Sequence, residues 1–138
     1  MAPTFRLDDP PTGSELTELY DAVGWTAYTR EPDRLAAAVA GSAAVATARD
    51  SGRLVGLARV VGDGHTIAYL QDILVAPSHR RRGIGGELLR LVLSPFAHVR
   101  QQVLLTDDEP GQRAFYESMG FSAAHELEHP LRAFVRFS

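Results

Sequence analysis

A mixed α/β fold with a partly parallel sheet is what the sequence predicts, and three observations carry that expectation. Segments with an apolar stripe at helical spacing alternate with short apolar runs of strand length. Glycine and proline punctuate nearly every junction between them. Over residues 66–106 a strand, a glycine-rich turn, a helix and another strand follow in succession. Such a crossover unit makes its two strands parallel neighbours.

Taken in order, Thr4–Leu7 reads as a short strand stopped by two prolines and a glycine. "TGSELTELYDAVGW" follows as a helix, with Thr12 and Glu15 at capping-box spacing and Leu16, Leu19, Tyr20 and Val23 forming its apolar stripe. "EPDRLAAAVAGS" makes a second helix, with Pro32 tolerated in its first turn and Gly41 as its stop. Ala43–Arg49 and Leu54–Val61 are strands joined by the turn residues of "RDSGR". "TIAYLQDILV" (66–75) is a long strand whose only polar side chains in its second half are Gln71 and Asp72. A helix from about Ile84 to Phe96, a strand at Gln101–Thr106, the helix of "EPGQRAFYESMG" and a final strand near Leu131–Phe137 follow, in the order β-α-α-β-β-β-α-β-α-β-β, whose penultimate strand falls between that last helix and Leu131. With no internal repeat or long linker, residues 1–138 are read as a single domain.

Composition narrows the function. Hydrophobic residues make up 45% of the chain and charged residues 22%, which suits a packed core rather than disorder. A net charge of −3 supplies no field that would draw the protein onto nucleic acid or a membrane surface. Cysteine is absent, which excludes disulfides and thiolate metal sites. No run approaches the roughly 20 apolar residues of a spanning helix, and a cytoplasmic location is expected.

The stretch with the most chemistry is Val75-Ala-Pro-Ser-His-Arg-Arg-Arg-Gly-Ile-Gly-Gly-Glu-Leu-Leu89. Backbone N–H groups at a helix start lack intrahelical partners and together present partial positive charge, so such a turn binds anions. Gly83, Gly85 and Gly86 are expected to allow positive φ and to keep β-carbons away from a bulky phosphate. Arg80, Arg81 and Arg82 add charge suited to a polyanion. Two familiar phosphate loops fail on spacing: no G-x-x-x-x-G-K-[ST] string occurs, and G-x-G-x-x-G would need glycine where Leu88 stands.

Arg80-Arg-Arg-Gly83-Ile-Gly85 resembles the [Q/R]-x-x-G-x-[G/A] signature of the GNAT superfamily of acyl-CoA-dependent N-acyltransferases. Ile73-Leu-Val75-Ala-Pro77 is similar to the strand end before that signature, and Ala114-Phe-Tyr116-Glu-Ser-Met-Gly120-Phe121 to a second family segment about 30 residues downstream. The element order resembles the family's sheet flanked by helices over essentially the whole chain. The resemblance implies acetyl-CoA as co-substrate, no metal, and transfer of an acetyl group to a primary amine by direct attack on the thioester, a small molecule being favoured over a protein as acceptor. It implies that the backbone of Arg80, Arg81, Arg82, Gly83, Ile84, Gly85 and Gly86 holds the pyrophosphate. Ile73, Leu74 and Val75 would pair with the pantetheine arm, and the Val75 N–H would polarise the thioester carbonyl. Tyr116 would touch the cofactor and act as general acid. A homodimer fits the same family. Where the family often has an asparagine, this chain has Glu109, so that contact is not carried over.

These residue types suit the reaction. An alkyl ammonium with a pKa of about 10.4 must lose a proton before it attacks, and a thiolate with an intrinsic pKa of roughly 8.5 leaves more easily when protonated. Asp72 is a candidate base, directly or through water; equally it could hydrogen-bond a neighbouring loop. Gln71 and Asp72 point to opposite faces, so at most one meets the acceptor directly. Asp107 and Asp108 could draw in a cationic amine or cap the next helix. Trp25 and Tyr28 could wall an amine pocket by cation–π contact or pack the helices, and Tyr20 favours packing. An acyl-CoA-binding sensor without catalysis would keep the cradle but need no acid.

"HELEH" at 125–129 matches the H-E-x-x-H zinc motif. Pro130 follows it directly, and in a strand the two histidines would stand about 13 Å apart at roughly 3.3 Å per residue. The match is read as coincidence, with no metal expected.

Overall fold

The computed structural model describes residues 2–138. It divides into two compact units, one ending at Leu105 and the other formed by Thr106–Ser138.

The first unit is built on a five-stranded sheet in the order β1-β2-β3-β4-β5 (Thr4–Arg6, Ala44–Asp50, Arg53–Gly62, Ile67–Val75 and Gln101–Leu104). The first three pairings are antiparallel, and β4 and β5 run parallel through the crossover helix α4 (Ile84–Leu93), as the glycine turn and apolar stripe predict. The remaining helices are α1 (Gly13–Ala22), α2 (Thr26–Thr29) and α3 (Pro32–Ala40). Gly56 of β3 faces α4: a β-carbon there would stand 2.9 Å from Leu88 Cδ1 and 3.3 Å from Ile84 Cγ2. Arg59, three positions on, therefore lies on the opposite face, where its neighbours are Tyr20, from α1, and Ser42, just after α3. Helices on both faces explain why Leu54–Val60 of β3 are buried without interruption.

Local chemistry sets the element ends. Thr12 Oγ1 accepts from the Glu15 N–H at 3.2 Å while Glu15 Oε1 accepts from the Thr12 N–H at 2.9 Å, a complete capping box. Gly24, at φ +83°, turns the chain out of α1. The following Gly-Trp-Thr-Ala-Tyr segment closes one further helical turn, α2, because the Tyr28 N–H reaches the Trp25 carbonyl and the Arg30 N–H that of Thr26.

The same Glu15 bonds Arg49 of β2, which also donates to Asp9 at 2.6 Å and so ties α1 to the sheet. Hydrogen bonding to Arg49, then to the Thr12 N–H, holds the Glu15 carboxyl at about 2, well below its ordinary value near 4.5. A depressed carboxylate stabilises the fold fully above its unfolded pKa and loses that contribution as pH falls toward the folded one. Thermal stability is therefore expected to decline between pH 4.5 and 2 by an increment of about 1 kcal/mol from this partly exposed group. Melting curves of Glu15→Gln across that range should lack the increment.

The second unit contains α5 (Pro110–Ser118) and a single 3-10 turn, Ala124–Glu126. Here the structure departs from the predicted order: residues 127–138 form no strand, and Leu131, Phe134, Val135 and Phe137 are exposed. A strand exists only when its backbone finds a ladder partner; here the Leu131 N–H bonds the Ala124 carbonyl at 3.0 Å, and no strand is assigned to the segment.

Candidate active site

The sheet opens where the sequence placed Ile73, Leu74 and Val75. Parallel pairing between β4 and β5 runs from Ile67↔Gln101 to Leu70↔Leu104 and goes no further, so β4 continues for five residues beyond it. On its other side β4 pairs with β3 as far as Val75↔Gly56, with a register shift between Arg59↔Asp72 and Val60↔Leu70. The shift leaves Gln71 as the extra residue of a β-bulge, a device that twists a strand and re-aims its side chains. The Ala76 N–H donates to the Val55 carbonyl at 2.8 Å. Alternation along the strand therefore turns the N–H groups of Val75 and Ile73 away from β3, toward the edge that β5 has left free. Those groups can receive an extended ligand as an added strand would be received.

Past a 3-10 turn at Pro77–His79, the chain forms the arginine–glycine turn. Arg81 (φ +63°) and Gly83 (φ +75°) both adopt the left-handed conformation, and Gly83 is the N-cap of α4 with no side-chain cap. The first N–H groups of α4 thus meet no protein side chain and are available to an anion. Arg80, Arg81 and Arg82 are exposed and have no acidic partner among the described residues. Of the three glycines able to adopt positive φ, only Gly83 does so; Gly85 and Gly86 lie inside α4. Sequence reasoning also missed the anchor of this turn. His79 Nε2 bonds Asp50 Oδ2 at 2.7 Å and its Nδ1 bonds Ser78 Oγ at 2.8 Å, pinning the turn to the end of β2. The His79 bond holds the Asp50 carboxyl below its usual range.

Four predicted residues, Trp25, Tyr28, Gln71 and Asp72, come together around one buried charge. Asp72 is 3% exposed and accepts from Tyr20 Oη at 2.9 Å, Tyr28 Oη at 2.9 Å and Arg59 Nε at 2.6 Å. Arg59 is 6% exposed, so the pair is desolvated and each ion depends on the other. Burial, reinforced by the Asp72 carboxylate, pushes the Tyr20 phenol far above its ordinary value. The Tyr20 ring packs edge-on against Trp25 at 5.8 Å and against Tyr28 at 5.1 Å, so Tyr20 is core, as the packing alternative had it. Half-buried Tyr28 spends its proton on Asp72, and exposed Gln71 donates Nε2 to the same phenol oxygen at 3.4 Å. What Tyr28 can still offer a ligand is an acceptor lone pair. A groove of about 270 Å³ lies beside it, lined by Ala27, Glu31, Arg34, Leu35 and Ala38. Arg59 and Tyr20 were not among the predicted site residues. Their signal was a lone arginine in the apolar "LVGLARVV" run, matching the lone aspartate of the next strand.

The second unit carries Tyr116, whose ring is buried and edge-packed on Phe115 and Phe121. Burial raises its pKa, which keeps the phenol protonated at neutral pH. Its hydroxyl has no hydrogen-bond partner among the described residues. Asp107 and Asp108 are exposed and do not cap α5; the N-cap is Glu109, without a side-chain bond, so the capping alternative falls. "HELEH" begins in the 3-10 turn rather than a helix, and its Glu126 pairs with Arg113. The described residues hold no group of three potential metal ligands, and none of their helices is long and apolar enough to cross a membrane.

Comparison with known proteins agrees with this geometry. Residues 41–123 match the family model described as "Acetyltransferase (GNAT) domain". A mycothiol acetyltransferase of Kineococcus radiotolerans is 36% identical over 80 residues, 56% of this chain and 26% of that protein. A histone acetyltransferase of Glycine max is 29% identical over 125 residues, 81% of this chain and 52% of that one. The chain thus spans between a quarter and about half of these curated relatives. Among solved structures, a GNAT-family acetyltransferase of Streptococcus pneumoniae superposes with a TM-score of 0.84 at 30% identity, covering 99% of both chains. An aminoglycoside N-acetyltransferase solved with CoA shares the fold at 17% identity, with a TM-score of 0.72 over 99% of this chain and 94% of that one. An open strand edge leading into an uncapped, left-handed arginine–glycine turn, within a matched domain that spans more than half the sequence, establishes that the chain belongs to the GNAT acetyltransferase family.

Proposed function

We propose that the protein is a cytoplasmic N-acetyltransferase, residues 1–138 acting as one domain, that moves an acetyl group from acetyl-CoA to the primary amine of a small molecule. The observation that carries this reading is a pair of neighbouring donor sets, the N–H groups on the open edge of β4 and those at the uncapped start of α4. The residues present fit the co-substrate. Backbone N–H groups from Arg80 to Gly86, with three unpartnered guanidiniums beside them, would hold its pyrophosphate, and Ile73–Val75 its pantetheine arm. Bound there, acetyl-CoA supplies the acetyl group as an activated thioester.

The chain's own groups do the rest. The Val75 N–H donates to the carbonyl oxygen as negative charge grows on it. The Tyr28 oxygen accepts an N–H of the incoming amine, which positions the nitrogen. Asp72, already engaged by Arg59 and two phenols, serves this step by fixing Tyr28 rather than by an open lone pair. The neutral amine nitrogen would bond to the acetyl carbon as the carbon–sulfur bond breaks, Tyr116 would give its proton to the sulfur, and the surplus proton of the nitrogen would return to the phenolate by way of water. The groove beside Tyr28 is small against the roughly 300–1,000 Å³ of drug-sized pockets, which favours a compact amine end over a bulky one. Trp25, Gln71 and Asp107 would complete the acceptor side, and the mycothiol-acetyltransferase relative supports a small-molecule acceptor.

The test is a panel of primary amines followed by thiol release from acetyl-CoA. Tyr116→Phe is expected to lower kcat by about 10²–10⁴-fold while leaving acetyl-CoA affinity within a few-fold. No thiol release with any amine, together with intact acetyl-CoA binding, would instead leave the non-catalytic acyl-CoA sensor.

A further inference from the structure

We infer that His79 is a positioning residue for acetyl-CoA: clamped to the β2–β3 hairpin, it holds the Arg80–Gly83 turn in the conformation that receives the pyrophosphate. With that turn read as the pyrophosphate site, as proposed above, its affinity depends on how it is held. Little inside the turn fixes its shape. Arg81 stands at φ +63°, a left-handed conformation that an L residue adopts only when its surroundings impose it. Three adjacent guanidiniums repel one another, and none has an acidic partner among the described residues. The Arg80 N–H reaches the Pro77 carbonyl only at 3.5 Å, and Gly83 has no side chain with which to close the start of α4.

His79 supplies the missing restraint from outside. Its Nε2–H donates to Asp50 Oδ2 at 2.7 Å and its Nδ1 meets Ser78 Oγ at 2.8 Å, with the imidazole 13% and the carboxylate 24% exposed. Asp50 stands at the head of a two-residue hairpin loop, Ser51 (φ +52°) and Gly52 (φ +83°), before Arg53. Positive φ at both positions is the tight loop that matches the twist of the flanking strands. Around it the Arg49 guanidinium donates to the Gly52 carbonyl at 3.0 Å, to Asp9 and to Glu15, and Arg53 pairs with Glu18 of α1 at 3.2 Å. A strained turn is thus tied by one imidazole to a hairpin that is itself fastened to α1. Untied, the turn would populate its binding conformation only in part, and affinity falls by that fraction. The bonds, not the ring's charge, do this. Ser78 can donate to a neutral Nδ1 or accept from a protonated one, so both bonds persist in either form of the imidazole. Of the charged groups on the elements around the ring, Asp50 bonds it, Arg80, Arg81 and Arg82 follow it in the chain, and Arg49 and Arg53 are engaged by Asp9, Glu15 and Glu18.

Isothermal titration of the full chain with acetyl-CoA tests this. His79→Ala and Asp50→Ala are each expected to raise the dissociation constant about tenfold, and the double variant no further, since the same bond is lost in all three. Asp50→Asn, whose amide oxygen still accepts the Nε2 proton, should stay within about threefold of the wild type. The ratio of wild-type to His79→Ala affinity should be level from about pH 6 to 9, although an imidazole changes charge in that range. Melting curves without ligand show that each variant folds, and Asp50→Ala carries the test from the other side of the bond if His79→Ala does not. Binding by His79→Ala within about twofold of the wild type, an Asp50→Asn as weak as Asp50→Ala, or an affinity ratio that falls to unity as pH rises would overturn the inference while the proposed function stands. A wild type that binds no acetyl-CoA would overturn both, so the two failures are distinguishable.

Discussion

Asp72→Ala is expected to destabilise the fold by about 3–5 kcal/mol, because it strands the Arg59 charge in a desolvated site. Two phenols lose their acceptor as well, and at roughly 1 kcal/mol each they push the loss toward the upper end. Against a total of about 5–15 kcal/mol for a domain of this kind, the variant should be largely unfolded on modest warming. Replacing both ions, as in Arg59→Met with Asp72→Leu, removes the orphaned charge and should recover most of the stability, since a packed apolar pair is often as stable as a buried ion pair. Urea unfolding of the two single variants and the double variant measures the coupling. If Asp72→Ala fell by less than about 1 kcal/mol, the pair would not be desolvated as described. The double variant should still show impaired turnover, because Tyr28 would have lost the acceptor that orients its phenol.

Gly83→Glu is expected to abolish the rise in melting temperature that acetyl-CoA gives the wild type. Two effects act together. At φ +75° any L side chain is strained by roughly 1–2 kcal/mol, which lowers the melting point of the free protein by several degrees. No atom lies within 4 Å of where the β-carbon would go, so the side chain meets open space and not the core, and the fold should survive. In the proposed site that open space faces the pyrophosphate, which a carboxylate would repel. Acetyl-CoA affinity should fall by at least about a hundredfold, roughly 2.7 kcal/mol. Gly83→Asn, which tolerates the left-handed region, should retain much of the binding and separates backbone strain from charge. Thermal shift over a range of acetyl-CoA concentrations reads both variants, and an undiminished rise in Gly83→Glu would remove the cradle from the proposal.

Most of the fold could be read before any coordinates, because its signals are local. The Thr12–Glu15 capping box, the Pro32 and Gly41 ends of α3 and the strand–turn–helix passage into α4 are each written in a few adjacent residues. The expectation failed at Leu131–Phe137, where a strand-like pattern is present but no strand forms, since pairing depends on a partner that pattern cannot specify. The freedom that three clustered glycines allow is used at one of them: Gly83 is left-handed, while Gly85 and Gly86 are helical.

By itself, then, the sequence determined the mixed α/β order, the family resemblance and the position of the uncapped glycine turn before α4, all of which follow from residue types at short fixed spacings. Only the tertiary structure decided what Asp72 is for. Its partners Arg59, Tyr28 and Tyr20 lie 13, 44 and 52 residues away, and no spacing rule joins them. They meet because α1 and α2 pack on the face of the sheet where a lone arginine and a lone aspartate stand opposite each other on neighbouring strands. Two buried opposite charges that each require the other, with a phenol held between them and the surface, exist only once that face has been closed.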